Sequence, residues 1–155
     1  MAMVYISNEH KELAERLARN PTGVAKKPVF STYMNFMVFA AMVGYSAKQM
    51  KVLDSKNRGA EVSEQAFANA KMDGLSFLLA LDAEKSVDAL RENRESACWS
   101  IIESYAEGGF PIIQQWLLDQ PGDVDGVETI LSRMSEVASE RVKESTTSLE
   151  PDVDF

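Results

Sequence analysis

The chain has 155 residues, 45% of them apolar and 26% charged, with a formal net charge of −8. The length suits one domain burying roughly 70% of its unfolded surface, and the acidic balance argues against general nucleic-acid affinity. One cysteine, Cys98, excludes an internal disulfide and fits a reducing cytoplasm. The charge is also uneven. Residues 1–60 carry +5 and residues 61–155 carry −13. A basic front on an acidic remainder could face a polyanion, pair one subunit with another, or be a solvated surface with chance asymmetry. The first residues lack the basic start and apolar run of a secretory leader.

In chain order, Ser7 or Asn8 opens a first helix to about Arg19, with Leu13 and Leu17 on one face. Glu12–Arg16 and Glu15–Arg19 support it as i,i+4 pairs. Val4 and Ile6 fold back onto the core. Asn20-Pro21 and Gly23 end the helix, because proline disfavours helical backbone in the residue before it. Residues 24–29 form a linker.

Phe30 to Gly44 is the longest apolar stretch and the expected central helix. Met34, Met37, Val38, Ala41 and Met42 fall at helical spacing, and Phe36, Phe39, Ala40 and Val43 fill much of the remainder. A helix apolar nearly all round must be enclosed. It is too short to span a bilayer. Its methionines could otherwise line a partner groove. Ser31 or Thr32 caps its start and Gly44 its end. The loop after it carries Tyr45, Lys48, Lys51, Lys56 and Arg58. Asn57-Arg58-Gly59 reads as a turn, and Met50, Val52 and Val62 could form a two-stranded ribbon near residues 50–62, or an exposed loop.

Ser63 caps the next helix, with Phe67 and Ala70 inward and a break at Gly74. Leu75, Leu78 and Leu79 continue the apolar face to Leu81. Asp82 caps a short helix through Leu90. Another helix starts at Glu92 or Asn93 and buries Trp99, Ile102 and Tyr105. Gly108-Gly109 stops it, and Pro111 suits the first turn of the following helix, whose inner face is Ile112, Ile113, Trp116 and Leu117. After Gln120 to Asp123, Asp125 and Glu128 form an acidic capping box. The last helix runs to about Lys143. Its narrow apolar stripe, Val127, Ile130, Leu131 and Met134, lies on the domain or pairs with a second chain. Residues 144–155 are an acidic, flexible tail. The expected fold is therefore all-α: one domain, residues 1–143, of about six or seven helices around a buried central one, with a minor ribbon.

Catalytic signals are sparse. His10 is the sole histidine and reads as solvent-facing. No histidine or second cysteine is left to share a metal with it. Cys98 beside Trp99 reads as a small apolar residue. Glu103 and Glu107, one turn apart, could share a metal or a proton, but no Glu-x-x-His element accompanies them. Asp123, Asp125 and Glu128 lack the twelve-residue calcium loop. Gly108-Gly109 is not followed by the lysine of a phosphate loop. No cofactor or metal is expected. The four cations of the loop, with Tyr45, are the candidate nucleic-acid contact, since lysines attract phosphates without regard to sequence.

Three segments, taken together, resemble a known family. They are Phe30-Ser-Thr-Tyr33 through Phe39-Ala-Ala-Met-Val-Gly-Tyr45, Leu78-Leu-Ala-Leu81, and Tyr105-Ala-Glu-Gly-Gly109 before Trp116-Leu117. In this order they are similar to the small DNA phosphorothioation-associated (Dnd-system-associated) proteins of bacteria, over about residues 8–120. The resemblance implies a non-enzymatic accessory subunit in a DNA modification or restriction (defence) system. Its partners would be proteins of that system, with DNA and a second copy as further contacts. It supplies no catalytic residues. From the charge pattern, the alternative is a regulatory or antitoxin-like binder that masks a basic partner with its acidic C-terminal half.

Overall fold

In the computed structural model, which describes residues 3–19, 28–84 and 95–149, the chain opens on a strand, β1 (Met3–Ser7). A 3-10 turn (Asn8–His10), a single α turn, α1 (Lys11–Ala14), and a wider π turn (Glu15–Arg19) follow. Next come α2 (Tyr33–Ala47), a 3-10 turn (Ser55–Asn57), β2 (Arg58–Ser63), α3 (Glu64–Asn69) and α4 (Asp73–Glu84). Two long helices, α5 (Glu95–Asp119) and α6 (Val127–Leu149), complete the order. The fold is thus mostly helical, as expected, with one small sheet among the described residues. A two-stranded ribbon exists, but not the one expected around Asn57-Arg58-Gly59: Arg58 and Gly59 lie within β2, and the partner strand is β1. β1 pairs antiparallel with β2, Val4 opposite Val62 and Tyr5 opposite Glu61, while Met50 and Val52 lie exposed in the loop. Val4 and Ile6 share one face of β1 and are fully buried.

The core forms where α2 crosses α5. Met34, Phe36, Met37, Ala40, Ala41 and Gly44 of α2 are buried there, with Ile102, Tyr105, Ala106, Phe110 and Ile113 of α5. Phe36 stacks on Phe110 with centroids 5.3 Å apart. The backbones approach closely because glycines stand at the crossing. A Cβ on Gly44 would overlap the Tyr105 carbonyl, one on Gly109 the Ala40 carbonyl, and one on Gly108 the Gln49 carbonyl. Neither glycine site ends its helix. α2 continues to Ala47, and Lys48 takes the left-handed conformation (φ 56°) while the Gln49 N–H donates to the Gly44 carbonyl at 2.8 Å. α5 runs unbroken through Gly108, Gly109 and Pro111. Helix-breaking residues are tolerated where packing stabilises the helix more than propensity opposes it.

Thr32 Oγ1 caps α2 by accepting from Asn35 N–H, and Ser63 Oγ caps α3 by accepting from Ala66 N–H. α6 starts differently from its expected form. Asp123, not Asp125, accepts from both the N–H and the hydroxyl of Thr129, at 2.7 and 2.6 Å. Asp125 Oδ1 is buried without a hydrogen-bond partner. Asp82 lies inside α4 rather than capping a new helix, and Ala70 and Leu78 are exposed. The helix expected through Leu90, and its successor's start at Glu92 or Asn93, fall outside the described residues, as do residues 150–155. α6 itself reaches Leu149. Its first turns rest on the core through Ile130, 3% exposed.

Candidate functional site

A buried cluster of ionisable groups lies where β1 runs along α5. Successive amides on one edge of a strand are about 6.8 Å apart, and residues one turn apart on a helix rise about 6 Å. Glu103 and Glu107 therefore match the spacing of the Tyr5 and Ser7 amides. Tyr5 N–H donates to Glu103 Oε2 at 2.9 Å, and Ser7 N–H to Glu107 Oε1 at 2.8 Å. The edge of β1 not paired with β2 is thus satisfied by two side chains.

His10 is buried in the same cluster, at 4% exposure, against the expectation of a solvent-facing ring. It tilts against Phe110 at 5.2 Å. Ser7 Oγ lies 2.8 Å from His10 Nδ1, and Glu107 Oε2 lies 3.5 Å from that same nitrogen. A nucleophile–base–acid relay needs serine and carboxylate on opposite ring nitrogens. Here both approach Nδ1, and Ser7 is 1% exposed. The arrangement anchors a strand to a helix. Among the described residues no group of three or more His, Cys, Asp or Glu is placed to hold a metal ion.

Two carboxyls are displaced in opposite directions. Burial pushes Glu103 above its ordinary value, with a smaller push from Glu107, against the Tyr5 N–H and Arg58, which lower it. For Asp123, burial is again the largest single influence and raises it. The Thr129 hydroxyl and N–H, the Gly126 N–H and Arg16 together outweigh burial and hold it below the usual range. A raised carboxyl binds its proton more tightly in the folded chain, so its charge opposes folding above that raised pKa and not below the unfolded value. Glu103→Gln keeps an oxygen for the Tyr5 N–H and removes the charge. Its urea midpoint is expected to exceed that of the parent at pH 7 and to match it below about pH 4. A midpoint lower at pH 7 than at pH 4, relative to the parent, would contradict this reading.

The exterior carries a larger feature. A groove of about 940 Å³ lies between α2 and α6 with α5 as its floor. Val38, Phe39, Met42 and Val43 line the α2 wall, Ile112 and Trp116 the floor, and Met134, Val137 and Ala138 the α6 wall. Among the described residues that line it, Arg133 is the sole charged one. α2 is thus not enclosed all round, as its composition suggests: Met42 is 37% exposed and Val38, Phe39 and Val43 are half-buried. Of the expected partner stripe, Ile130 is buried, whereas Val127, Leu131 and Met134 are exposed. Cys98 is buried.

The basic loop is more engaged than its charge suggests. Tyr45 meets Tyr105 edge-on at 5.6 Å. Lys51 donates its N–H to the Ser104 carbonyl, and its Nζ lies 3.6 Å from Glu9. The Arg58 guanidinium sits 4.4 Å over the Tyr5 ring. Lys48 and Lys56 are exposed. No helix among the described residues is long and apolar enough to cross a membrane.

This geometry defines a mostly helical protein whose buried ionisable groups brace the fold and whose open apolar surface lies outside it. The chain belongs to the family of DNA sulphur modification system-associated protein 4, which it matches over residues 3–152. No curated protein and no solved structure matches it. The family pieces noted in the sequence include Gly44, Glu107, Gly108 and Gly109, and all of them lie at the α2–α5 crossing or under β1. What sequence reasoning missed was the role of His10 and Glu107. The signal available was the turn-apart spacing of two glutamates facing an N-terminal segment that alternates apolar and polar residues.

Proposed function

We propose that the protein is a non-enzymatic, cytoplasmic accessory subunit of a bacterial DNA sulphur modification or restriction (defence) system, acting by contact between proteins. The family supplies the setting. The observation that carries the mode of action is the open apolar face on α2, α5 and α6. Met42 and Met134 stand exposed on it, and flexible methionine-lined grooves suit contact with a partner. The ionisable cluster fits the same reading, since its carboxylates are taken up by backbone amides.

The test is co-purification from native cell extract with identified subunits of the modification or restriction machinery. Met42→Glu, at an exposed groove position, is expected to reduce that recovery at least tenfold without altering the circular dichroism spectrum. A chain recovered alone from native extract refutes the proposal. DNA contact, where it contributes, falls to Lys48 and Lys56. Binding of duplex DNA would then weaken steeply with salt, and charge reversal at both positions would abolish it.

A further inference from the structure

We infer that the open face is covered by a second copy of this chain, with the two α6 helices packed antiparallel at a two-fold axis. The inference rests on the reading that this face is the working contact surface, and it names the occupant.

Three observations point to a copy. The first is the spacing on α6. Val127, Leu131, Met134 and Ala138 recur at alternating four- and three-residue steps, the seam of a helix that packs on another helix. Val127 is 39%, Leu131 58% and Met134 49% exposed, and Val142, flanking the seam, 66%. That half of the apolar face is exposed.

The second is continuity. Met134 and Ala138 belong both to this seam and to the groove wall. One helix laid beside α6, between it and α2, would cover seam and groove together. A two-fold axis then places each α6 in the other's groove, giving the row α2, partner α6, α6, partner α2. Such an isologous contact closes on itself.

The third is fit. Centring the pair between Met134 and Ser135 sets Val127 opposite Val142, and Leu131 opposite the small Ala138. Large against small is how helices interdigitate. The antiparallel sense also brings the acidic start of α6, with Asp125 and Glu128, toward a charge-balanced end where Arg141 and Lys143 offset Glu140 and Glu144. A parallel pair would set those carboxylates against their copies. The paired length is about 23 Å.

Light scattering on the full chain at micromolar concentration should give twice the 17.2 kDa chain mass. Leu131→Asp should give the monomer mass with an unchanged circular dichroism spectrum. Register is read by oxidation. Val127→Cys and Val142→Cys should each fail to cross-link alone and should cross-link when mixed. Cys98 is buried and does not compete. A monomeric parent chain, cross-linking of Val127→Cys alone, or no cross-link in the mixture overturns the inference. A monomer that still co-purifies with system subunits, and loses them on Met42→Glu, assigns the face to another protein and leaves the accessory role standing. A cross-linked dimer that recovers no subunit upholds the pairing and removes the accessory role.

Discussion

Gly109→Ala is expected to lower the stability of the fold by about 3 kcal/mol, and Gly44→Ala by a similar amount. Both run against helix propensity, because alanine in a helix interior is favoured over glycine by about 1 kcal/mol. The reversal comes from the crossing. The Cβ on residue 109 would overlap the Ala40 carbonyl, and the Cβ on residue 44 the Tyr105 carbonyl. Backbone atoms on both sides cannot rotate away as a flexible side chain can, so α2 and α5 must separate. Phe36 and Phe110, stacked beside the crossing, would lose their contact in turn. For a domain of this length the thermal midpoint should fall by about 6–12 °C. Gly74→Ala is the control. Nothing lies within 4 Å of its added Cβ, and it sits in α4, so it should leave stability unchanged or raise it slightly. A Gly109→Ala chain that melts with the parent would show that the helices do not pack through these glycines.

The same crossing explains which parts of the fold were legible in sequence. Helical spacing located α2, Thr32 and Ser63 acted as caps, and the buried faces of Trp99, Ile102 and Tyr105 lay where periodicity put them. Each is a local property, set by residues within a turn or two of one another. The errors at the crossing concern glycine and proline. Gly44, Gly108, Gly109 and Pro111 read as punctuation, because in isolation they weaken a helix. Here three of them are small for the sake of a neighbour distant in sequence, a reason that local pattern cannot reveal. Lys48 shows the converse. A non-glycine residue took the left-handed cap, with its charge placed at a helix C-terminus, where cations are favoured.

The candidate site divides in the same way. The α6 stripe was visible as an apolar series too narrow for a helix lying fully on a core. Its open half, Val127, Leu131 and Met134, is a surface, while Ile130 and Thr129 are buried and Arg133 reaches Asp119 of α5. The groove was not visible, since it is built from three helices and depends on α2 being covered on one side only. His10 was placed in solvent because its helix is charged. Its burial follows from β1, whose partner strand is more than fifty residues away.

Glu107→Ala is expected to be the most damaging substitution outside the crossing, at about 3 kcal/mol. Glu107 is 1% exposed, accepts the Ser7 N–H at 2.8 Å, and stands 3.5 Å from His10. Removing it leaves a buried amide with no acceptor and a void beside Phe110. Glu107→Gln keeps an oxygen for the amide and the volume, so it should lose only about 1 kcal/mol. Urea denaturation measures both, and hydrogen exchange localises the cause. In Glu107→Ala the Ser7 amide should exchange faster relative to global unfolding, while the Tyr5 amide, held by Glu103 at 2.9 Å, stays protected. Glu103→Ala should reverse that pattern. If Glu107→Ala were as stable as the parent, or if both amides opened together in each variant, the carboxylates would not be what fixes β1 to α5. The β1 strand would then be held by β2 and by Val4 and Ile6 alone, and a buried glutamate at this position would lack a structural reason.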